Sequence, residues 1–305
     1  MHLLLEFLLS LMKIGWICLL AFWKFFNPFK SKKNLERDIV LITGAGSGIG
    51  RLMAIRFAKL GAKLILWDIN REANEAVATE IRELSKIAHP YVVDCSKREE
   101  IYRVAEQVKR EVGEVTVLVN NAGVISGKKF FDVADKMADL TLQVNTAAHF
   151  WTVKAFVPAM IAKNRGHILT IASSAGMFGV AGLMDYCASK HGAVGLHESL
   201  TSELHTLGMD GVKTTLVCPY YINTGMFNGV KTRLPRILPI LKPEFAVNKI
   251  MEAFHSDQYL LMTPRILYLF YLLQPILPKY AMLEAGKFFG VDRSMDTFVG
   301  RQKND

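Results

Sequence analysis

An apolar run that leads straight into a glycine-rich turn constrains the fold of this chain more than any other feature. The β-branched residues of Ile39–Thr43 predict a strand, and residues 43–50 read TGAGSGIG. The amphipathic residues 51–60 follow at once and predict a helix. The core therefore begins with a strand, a tight turn and a helix, which is the repeating unit of α/β proteins.

The alternation of apolar strands and amphipathic helices continues along the chain. Further strands are predicted at residues 63–67, 91–93, 115–119, 167–171 and 212–217, with helices between them such as residues 71–86 and 98–112. Alternating elements of this kind form a parallel sheet that is covered on both faces. We therefore expect an α/β fold, a doubly wound parallel β-sheet of the Rossmann type with helices on both faces. Its catalytic core spans residues 38–229, and residues 230–305 extend the same domain.

The first 29 residues carry the excess of apolar side chains in a chain that is 51% hydrophobic. At about 100° per residue, the polar residues of this segment share a helical stripe about 80° wide. These residues are His2, Glu6, Ser10, Lys13 and Lys24. One narrow polar stripe favours an anchor that lies in the membrane interface, and the alternative is a transmembrane helix in which Lys13 and Glu6 reach the interface or pair. Both interpretations make residues 1–29 a membrane-anchoring helix.

A basic linker, residues 30–37, follows the anchor and contains Lys30, Lys32, Lys33 and Arg37. Basic residues beside a membrane segment face the cytosol, so we expect a cytosolic catalytic core. The formal net charge of +9 does not indicate nucleic acid, because no basic run in the core alternates with aromatic residues. Membrane phosphates are the expected counterpart of this charge.

The four cysteines, at positions 18, 95, 187 and 218, show no paired spacing. A disulfide framework and a structural zinc site both need such a spacing. We therefore predict reduced thiols and no metal site.

The glycine-rich turn predicts a binding site for a dinucleotide. Glycines allow the backbone to approach a pyrophosphate, and the following helix offers free N–H groups and a partial positive charge. Such a turn alone is a weak signal, but here a strand precedes it and a helix follows. The residues of the turn that we expect to contact the cofactor are Gly44, Ser47, Gly48, Ile49 and Gly50.

An acidic residue ends the second predicted strand. Asp68 stands 18 residues after Gly50, at the strand tip where the adenosine ribose of a bound dinucleotide would lie. A carboxylate there accepts hydrogen bonds from both ribose hydroxyls and repels a 2′-phosphate, which favours NAD over NADP. The neutral Ser47 and Ile69 support the same choice. The alternative is that Asp68 caps the next helix.

A tyrosine and a lysine four residues apart, Tyr186 and Lys190, share one face of a predicted helix. This pair is common by itself. It becomes specific beside the glycine turn and three further features, namely NNAG at residues 120–123, Asn145, and Ser173 thirteen residues before Tyr186. With this set, roughly residues 36–228 resemble the short-chain dehydrogenase/reductase family.

These residues suit hydride transfer between an alcohol and NAD. A phenol is a poor base at neutral pH, and we expect Lys190 and a positively charged nicotinamide to favour the phenolate of Tyr186. Tyr186 can then accept the alcohol proton while Ser173 binds the same substrate oxygen. Ser174 is the alternative to Ser173, whose spacing to Tyr186 matches the family. The resemblance implies that Lys190 also binds the nicotinamide ribose and that Asn145 holds a water.

Further positions are carried over from the family. Asp94 resembles the residue that meets the adenine, and Asn121 resembles one that lines the adenosine side. Either side chain could instead cap a turn. Thr224 stands where a threonine binds the nicotinamide carboxamide, whereas Tyr220 stands where many relatives have glycine. We therefore expect the loop around Tyr220 to differ from the family pattern.

Several stretches are closer to one branch of the family, among them LWDIN at residues 66–70, HFW at 149–151 and NTGMF at 223–227. They resemble the membrane-bound retinol dehydrogenases of the epidermal type and the related lipid-droplet 17-beta-hydroxysteroid dehydrogenases. This resemblance implies oxidation of all-trans-retinol to all-trans-retinal, with a steroid or another lipid alcohol as the alternative substrate. It also implies a location on the endoplasmic reticulum membrane or on lipid droplets, and a homodimer through the helices that carry Asn145 and Tyr186.

Two apolar helical segments of the C-terminal extension, residues 234–241 and 266–277, are expected to cover the substrate cleft, as such segments do in the family that the chain resembles, and to face the membrane. A competing class of protein is a lipid-surface scaffold that keeps the dehydrogenase fold without catalysis. The presence of the full catalytic set favours the enzyme. This set is Asn145, Ser173, Tyr186 and Lys190.

Overall fold

The computed structural model describes residues 2–26 and 33–300. The chain divides after Lys33 into two compact units. In the first unit, helix α1 spans His2–Phe26. Its segment His2–Leu20 is long and apolar enough to cross a membrane, and none of it is buried within the protein. The end of the predicted anchor and the start of the basic linker, residues 27–32, lie outside the described residues.

Within the described residues, the second unit is built on a parallel sheet of seven strands. The strands are β1 (Ile39–Thr43), β2 (Lys63–Asp68), β3 (Ala88–Val92), β4 (Val117–Asn120), β5 (Gly166–Ile171), β6 (Val212–Pro219) and β7 (Leu260–Thr263). Their order is β3-β2-β1-β4-β5-β6-β7, and each neighbouring pair runs parallel. The strand order changes direction beside β1, so the predicted doubly wound parallel sheet is confirmed.

Helices cover both faces of this sheet. They are α2 (Gly48–Lys59), α3 (Arg71–Glu83), α4 (Arg98–Glu111), α5 (Asp135–Leu142), α6 (Ala148–Ala162), α7 (Met184–Thr206), α8 (Pro243–His255), α9 (Ile266–Leu273) and α10 (Lys279–Phe289). One hydrophobic core contains Phe57 of α2, Ile81 of α3 and Phe254 of α8. A second core contains Ile101 of α4 and Phe156 of α6. Burial on both faces explains the continuous apolar runs of the central strands.

The two edge strands depart from the sequence prediction. β3 begins at Ala88 rather than at residue 91, and most of its side chains are only half-buried. It contains Pro90, which a sheet tolerates at its edge because the missing N–H breaks no central hydrogen bond. At the opposite edge, β7 has four residues and is not predicted by the sequence. Both strands lack the long apolar run that marks a central strand.

The last residues of the predicted linker belong to the second unit. Leu35 is 3% exposed and lies in the same core as Phe57. Its amide donates to the Leu60 carbonyl oxygen at 3.1 Å. The chain therefore joins the core before β1 begins.

The C-terminal extension supplies β7 and helices α8 to α10. Of the two apolar segments predicted there, residues 266–277 contain α9. Residues 234–241 instead form turns and end in a bridge between Leu241 and Ile222. Pro235 and Pro239 account for the difference, because proline removes the N–H that a helix needs.

Candidate active site

The carboxyl ends of the central strands open onto a cavity of about 520 Å³. The strand order changes direction between β1 and β4, the point at which α/β sheets bind ligands. All eleven residues predicted to contact the cofactor line this cavity, and so does Ser173. Asn145 does not line it, although its neighbour Val144 does. Apart from Asn145, the predicted cofactor and catalytic residues therefore meet at one site.

The glycine turn between β1 and α2 brings the backbone close to the cavity. Gly44 and Gly48 have φ angles of 64° and 55°, which residues with side chains rarely adopt. At Gly50, a Cβ atom would lie 2.0 Å from the carbonyl oxygen of Gly44, so only glycine fits. Ser47, the N-cap of α2, makes no side-chain capping bond. The first amides of α2 are thus suited to an anionic ligand such as a diphosphate.

Asp68 ends β2 and lines the cavity beside the glycine turn. Its Oδ2 accepts a hydrogen bond from the Gly46 amide at 2.8 Å, and its Oδ1 accepts one from the Asn70 amide at 2.9 Å. The N-cap of α3 is Asn70, whose side chain accepts from the Ala73 amide, so Asp68 is not the helix cap. A carboxylate has about four acceptor sites, which leaves Asp68 able to accept from ribose hydroxyls.

Asp94 and Asn121 hold the loops around the cavity as well as lining it. Asp94 accepts hydrogen bonds from the amide and the hydroxyl of Ser96 at 3.0 and 2.6 Å. Burial acts to raise the pKa of Asp94, but the hydrogen bonds from Ser96 and Lys97 outweigh it and keep the pKa below its usual value. Asn121 donates to the carbonyl oxygen of Thr43 at 2.8 Å. Both side chains thus stabilise turns, which was the alternative to a cofactor contact in the sequence analysis.

Tyr186 and Lys190 lie in the first two turns of α7, beside the end of β5. The Nζ atom of Lys190 lies 5.7 Å from the centre of the Tyr186 ring and donates to the Ile171 carbonyl oxygen at 2.9 Å. The hydroxyl of Ser173 lies close enough to the phenol of Tyr186 to act on its pKa. The serine that meets the phenol is therefore Ser173, and the neighbouring Ser174 only lines the cavity.

Burial dominates the pKa values of this pair. Tyr186 is 5% exposed and Lys190 is 3% exposed. Burial raises the pKa of Tyr186 above its usual value, with the Ser173 hydroxyl acting in the opposite direction. Burial also lowers the pKa of Lys190 to about 8. The expectation that Lys190 and a positively charged nicotinamide together favour the phenolate stays a prediction.

Asn145 sits in a π-helical turn, Gln143–Ala147, between α5 and α6. Its Oδ1 accepts from the Val124 amide at 2.8 Å, and its Nδ2 donates to the Val124 carbonyl oxygen and the Ser189 hydroxyl, both at 2.9 Å. π-Helical turns occur frequently at functional sites. The side chain thus ties the loop after β4 to α7, next to Lys190. Its role in holding a water stays a prediction.

Sequence reasoning missed a buried carboxylate beside the catalytic tyrosine. Asp185 is 8% exposed and accepts hydrogen bonds from the hydroxyls of Ser126 and Thr141 at 2.9 and 3.1 Å. These bonds fix the start of α7 against α5 and the loop after β4. The one sequence feature that indicates this role is the position of Asp185, an acidic residue in the first turn of a helix.

Sequence reasoning also missed most of an aromatic wall of the cavity, formed by Tyr220, Tyr221 and Phe227. The Phe227 ring stands edge-on to Tyr186, with centroids 5.9 Å apart, and edge-on to Tyr221 at 5.1 Å. The sequence marks Tyr220 as a departure from the family, but nothing local marks Tyr221. Thr224, carried over from the family, lies in the same loop and lines the cavity near Gly48.

The sequence pattern of the short chain dehydrogenases matches residues 38–234. The chain belongs to the short-chain dehydrogenase family. It is 50% identical over 275 residues to epidermal retinol dehydrogenase 2 of Homo sapiens, which covers 90% of this chain and 89% of that protein. It is 43% identical over 330 residues to retinol dehydrogenase 10-B of Xenopus laevis, which covers 99% of this chain and 96% of that protein. The predicted resemblance to the retinol dehydrogenase branch is confirmed.

Solved structures of the family share this fold. The short-chain dehydrogenase/reductase of Burkholderia phymatum in complex with NAD has a TM-score of 0.71 and 26% identity, covering 84% of this chain and 96% of that chain. A metagenomic short-chain oxidoreductase in complex with NADP has a TM-score of 0.62 and 31% identity, covering 75% and 96%. The protein is thus an alcohol dehydrogenase of this family, and its glycine turn fits a nicotinamide dinucleotide.

Proposed function

We propose that this enzyme oxidises all-trans-retinol to all-trans-retinal with NAD at a membrane surface. The observation that carries the proposal is a cavity in which an aromatic wall stands beside the reactive groups of Ser173, Tyr186 and Lys190. Such a cavity suits an alcohol at the end of a long apolar molecule. The identity to epidermal retinol dehydrogenase 2 supports a retinoid as that molecule.

The geometry supports proton transfer at the phenolic oxygen of Tyr186. A substrate hydroxyl beside Ser173 would bond to both side-chain oxygens, which orients the alcohol and balances the charge that develops on its oxygen. NAD, when bound, supplies the acceptor for the hydride. Because burial keeps the phenol protonated, Tyr186 can take the alcohol proton only as it gives its own proton to the neutral amine of Lys190, which releases it to solvent. Lys190, with a pKa of about 8, is the neighbouring group that exchanges protons near neutral pH.

The charges that line the cavity support NAD over NADP. Asp68 places a carboxylate beside the glycine turn, where the 2′-phosphate of NADP would meet a like charge. Among the described residues that line the cavity, the only basic one is Lys190, which lies at Tyr186. The amides of the glycine turn would hold the diphosphate, and Lys190 and Thr224 would contact the nicotinamide half.

Exposed apolar side chains support a location on the endoplasmic reticulum membrane, with lipid droplets as a second surface. Helix α1 is apolar and exposed along the described side chains of residues 2–20. In the C-terminal extension, Leu272, Ile276 and Tyr280 are 63%, 68% and 82% exposed. We include in the proposal an anchor at residues 1–29 and a membrane-facing extension at residues 230–305.

A homodimer through α7 and the helical segment that carries Asn145 is also part of the proposal. Phe150 on α6 is 49% exposed, and His191 on α7 is exposed as well. An exposed aromatic side chain on these helices supports a protein partner there.

Turnover of all-trans-retinol by the full-length enzyme in liposomes tests the proposal. We expect formation of NADH, little formation of NADPH, and a loss in kcat of about 10²- to 10⁴-fold in Tyr186→Phe. Tyr102→Phe is the matched control, since Tyr102 lies on α4 against Trp151 and outside the cavity. Faster turnover of estradiol would favour the steroid alternative. Absence of turnover by the wild type on retinol, estradiol and a long-chain alcohol would contradict the proposal and favour the scaffold.

A further inference from the structure

The last described residues of the chain, 294–300, pack beside the catalytic cavity, and we call them the C-terminal strap. The amide of Val299 donates to the Asn228 carbonyl oxygen at 2.8 Å. The hydroxyl of Thr297 donates to the Gly229 carbonyl oxygen. These bonds join the strap to the loop that follows β6. The same loop holds the cavity residues Thr224 and Phe227.

Two further loops of the site pack against the strap. The Phe298 ring covers Gly127, in the loop after β4, where a Cβ atom would lie 1.9 Å from the ring. At Gly182, just before α7, a Cβ atom would lie 3.1 Å from the Cβ of Met295. Both glycines have positive φ angles, so neither loop accommodates a side chain at that position. The strap therefore contacts all three loops that lead to the catalytic end of the cavity.

A buried hydrogen bond joins the strap to the aromatic wall. The hydroxyls of Tyr221 and Ser294 lie 3.0 Å apart, and Ser294 donates its own proton to the Val291 carbonyl oxygen at 2.8 Å. A hydroxyl has one proton, so Tyr221 is the donor of the bond between them. Tyr221 is 7% exposed and Ser294 is 1% exposed. Burial raises the pKa of Tyr221 to about 12, so its phenol keeps the proton that it donates.

Two ring contacts connect Tyr221 to the catalytic tyrosine. Tyr221 stands edge-on to Phe227, and Phe227 stands edge-on to Tyr186. Without the hydrogen bond to Ser294, the Tyr221 ring can take more than one orientation. Phe227 packs on that ring, so its position also becomes less fixed. The side of the cavity beside the catalytic phenol thus depends on a residue 73 positions further along the chain than Tyr221.

We propose that Tyr221 is a positioning residue that selects elongated substrates. Held by Ser294 of the C-terminal strap, it keeps Phe227 beside Tyr186 and fixes the wall that an apolar chain must follow. A small alcohol at Ser173 meets only the end of this wall beside Tyr186 and therefore depends on it less. The proposal rests on the proposed function in so far as it concerns alcohol oxidation.

The test compares Tyr221→Phe, Ser294→Ala and the double variant in the full-length enzyme in liposomes. The substrates are all-trans-retinol and 3-methylbut-2-en-1-ol, which has the allylic alcohol end of retinol without its chain. We expect each single variant to raise KM for retinol about fivefold, the effect of one lost hydrogen bond. The double variant should be no worse than the singles, because both remove the same bond. Kinetic constants for the short alcohol should stay within about twofold.

Matched controls are Tyr102→Phe on α4 and Ser199→Ala, an exposed serine on α7. Equal losses on both alcohols, or additive losses in the double variant, would overturn the proposal. Hydrogen exchange of residues 223–229 and 294–300 gives a second measurement that needs no turnover. We expect faster exchange in both segments of Tyr221→Phe than in the wild type. If the wild type oxidises no alcohol but this difference in exchange is found, the proposed function is contradicted and the link between strap and loop is kept. Unchanged exchange in an active enzyme would overturn the link itself.

Discussion

At Lys190, the cost of burying a charge sets a pH dependence of stability. Burial lowers the pKa of its ammonium group to about 8, from an ordinary value of 10.5. Between these values the unfolded state binds more protons than the folded state. The contribution of Lys190 to the free energy of unfolding should therefore rise with pH in this window, by up to about 1.4 kcal/mol per pH unit. Below pH 8 the group is protonated in both states, and its contribution no longer changes.

Urea unfolding of the full-length protein in detergent, from about pH 7 to about pH 10, checks this window, with Lys190→Met as the comparison. Burial raises the pKa of Cys187 and Tyr186, and Lys190 is not among the causes that shift either group, so both cancel from the difference. The charge of Lys190 lowers the pKa of Cys218, but burial holds that pKa at about 12, above this range. The difference in the free energy of unfolding should change only above pH 8. A difference that stays constant over the whole range would show that the ammonium group is not desolvated.

Asp68 and Asn70 show how far residue types alone define a site. The sequence identifies a carboxylate after a strand but leaves a cofactor contact and a helix cap as alternatives for Asp68. Both residues are good caps, and the choice depends on where β2 ends, which sequence patterns locate only to within a few residues. The structure gives the cap to Asn70 and leaves Asp68 facing the glycine turn.

At the scale of elements, the packing of α2 against the end of β1 depends on Gly50. In Gly50→Ala, the new Cβ would lie 2.0 Å from the Gly44 carbonyl oxygen, so α2 or the turn must shift. Overpacking of this kind costs about 1–3 kcal/mol. We expect the Kd for NADH, measured by fluorescence titration, to rise about tenfold or more.

Gly286→Ala is the matched control for this change, because Gly286 is a helical glycine on α10 with no atom within 4 Å of an added Cβ. It should keep the Kd for NADH and gain about 0.5–1 kcal/mol of stability from the better helix former. An unchanged Kd in Gly50→Ala would show that the glycine turn does not contact the cofactor.

The elements that sequence predicts well are those with a local cause. β1, β2 and β5 are marked by apolar runs, and the turn before α2 is marked by its glycines. The edge strands β3 and β7 have no such mark, because β3 is mostly half-buried and β7 has only four residues. The bond between Tyr221 and Ser294 also has no local cause, since it joins residues that only the complete fold brings together.

At the scale of the whole molecule, apolar surface is divided between the two units. Removal of residues 1–33 should leave the catalytic unit folded, because the chain divides after Lys33 and the core begins with Leu35. The shortened protein should still bind NADH. It should also keep a weaker affinity for liposomes, because Leu272 and Ile276 remain exposed in the C-terminal extension.

Liposome flotation of this shortened protein separates the C-terminal contribution from that of α1. Burying two large apolar side chains is worth about 3 kcal/mol or more, so Leu272→Ser with Ile276→Ser should lower the partition coefficient by about a hundredfold. The control pair is Leu84→Ser with Leu207→Ser, since these leucines are also exposed but lie at the ends of α3 and α7. Equal losses in the two pairs would mean that lipid contacts the catalytic unit without preference. A shortened protein that never floats would place all membrane affinity in residues 1–33.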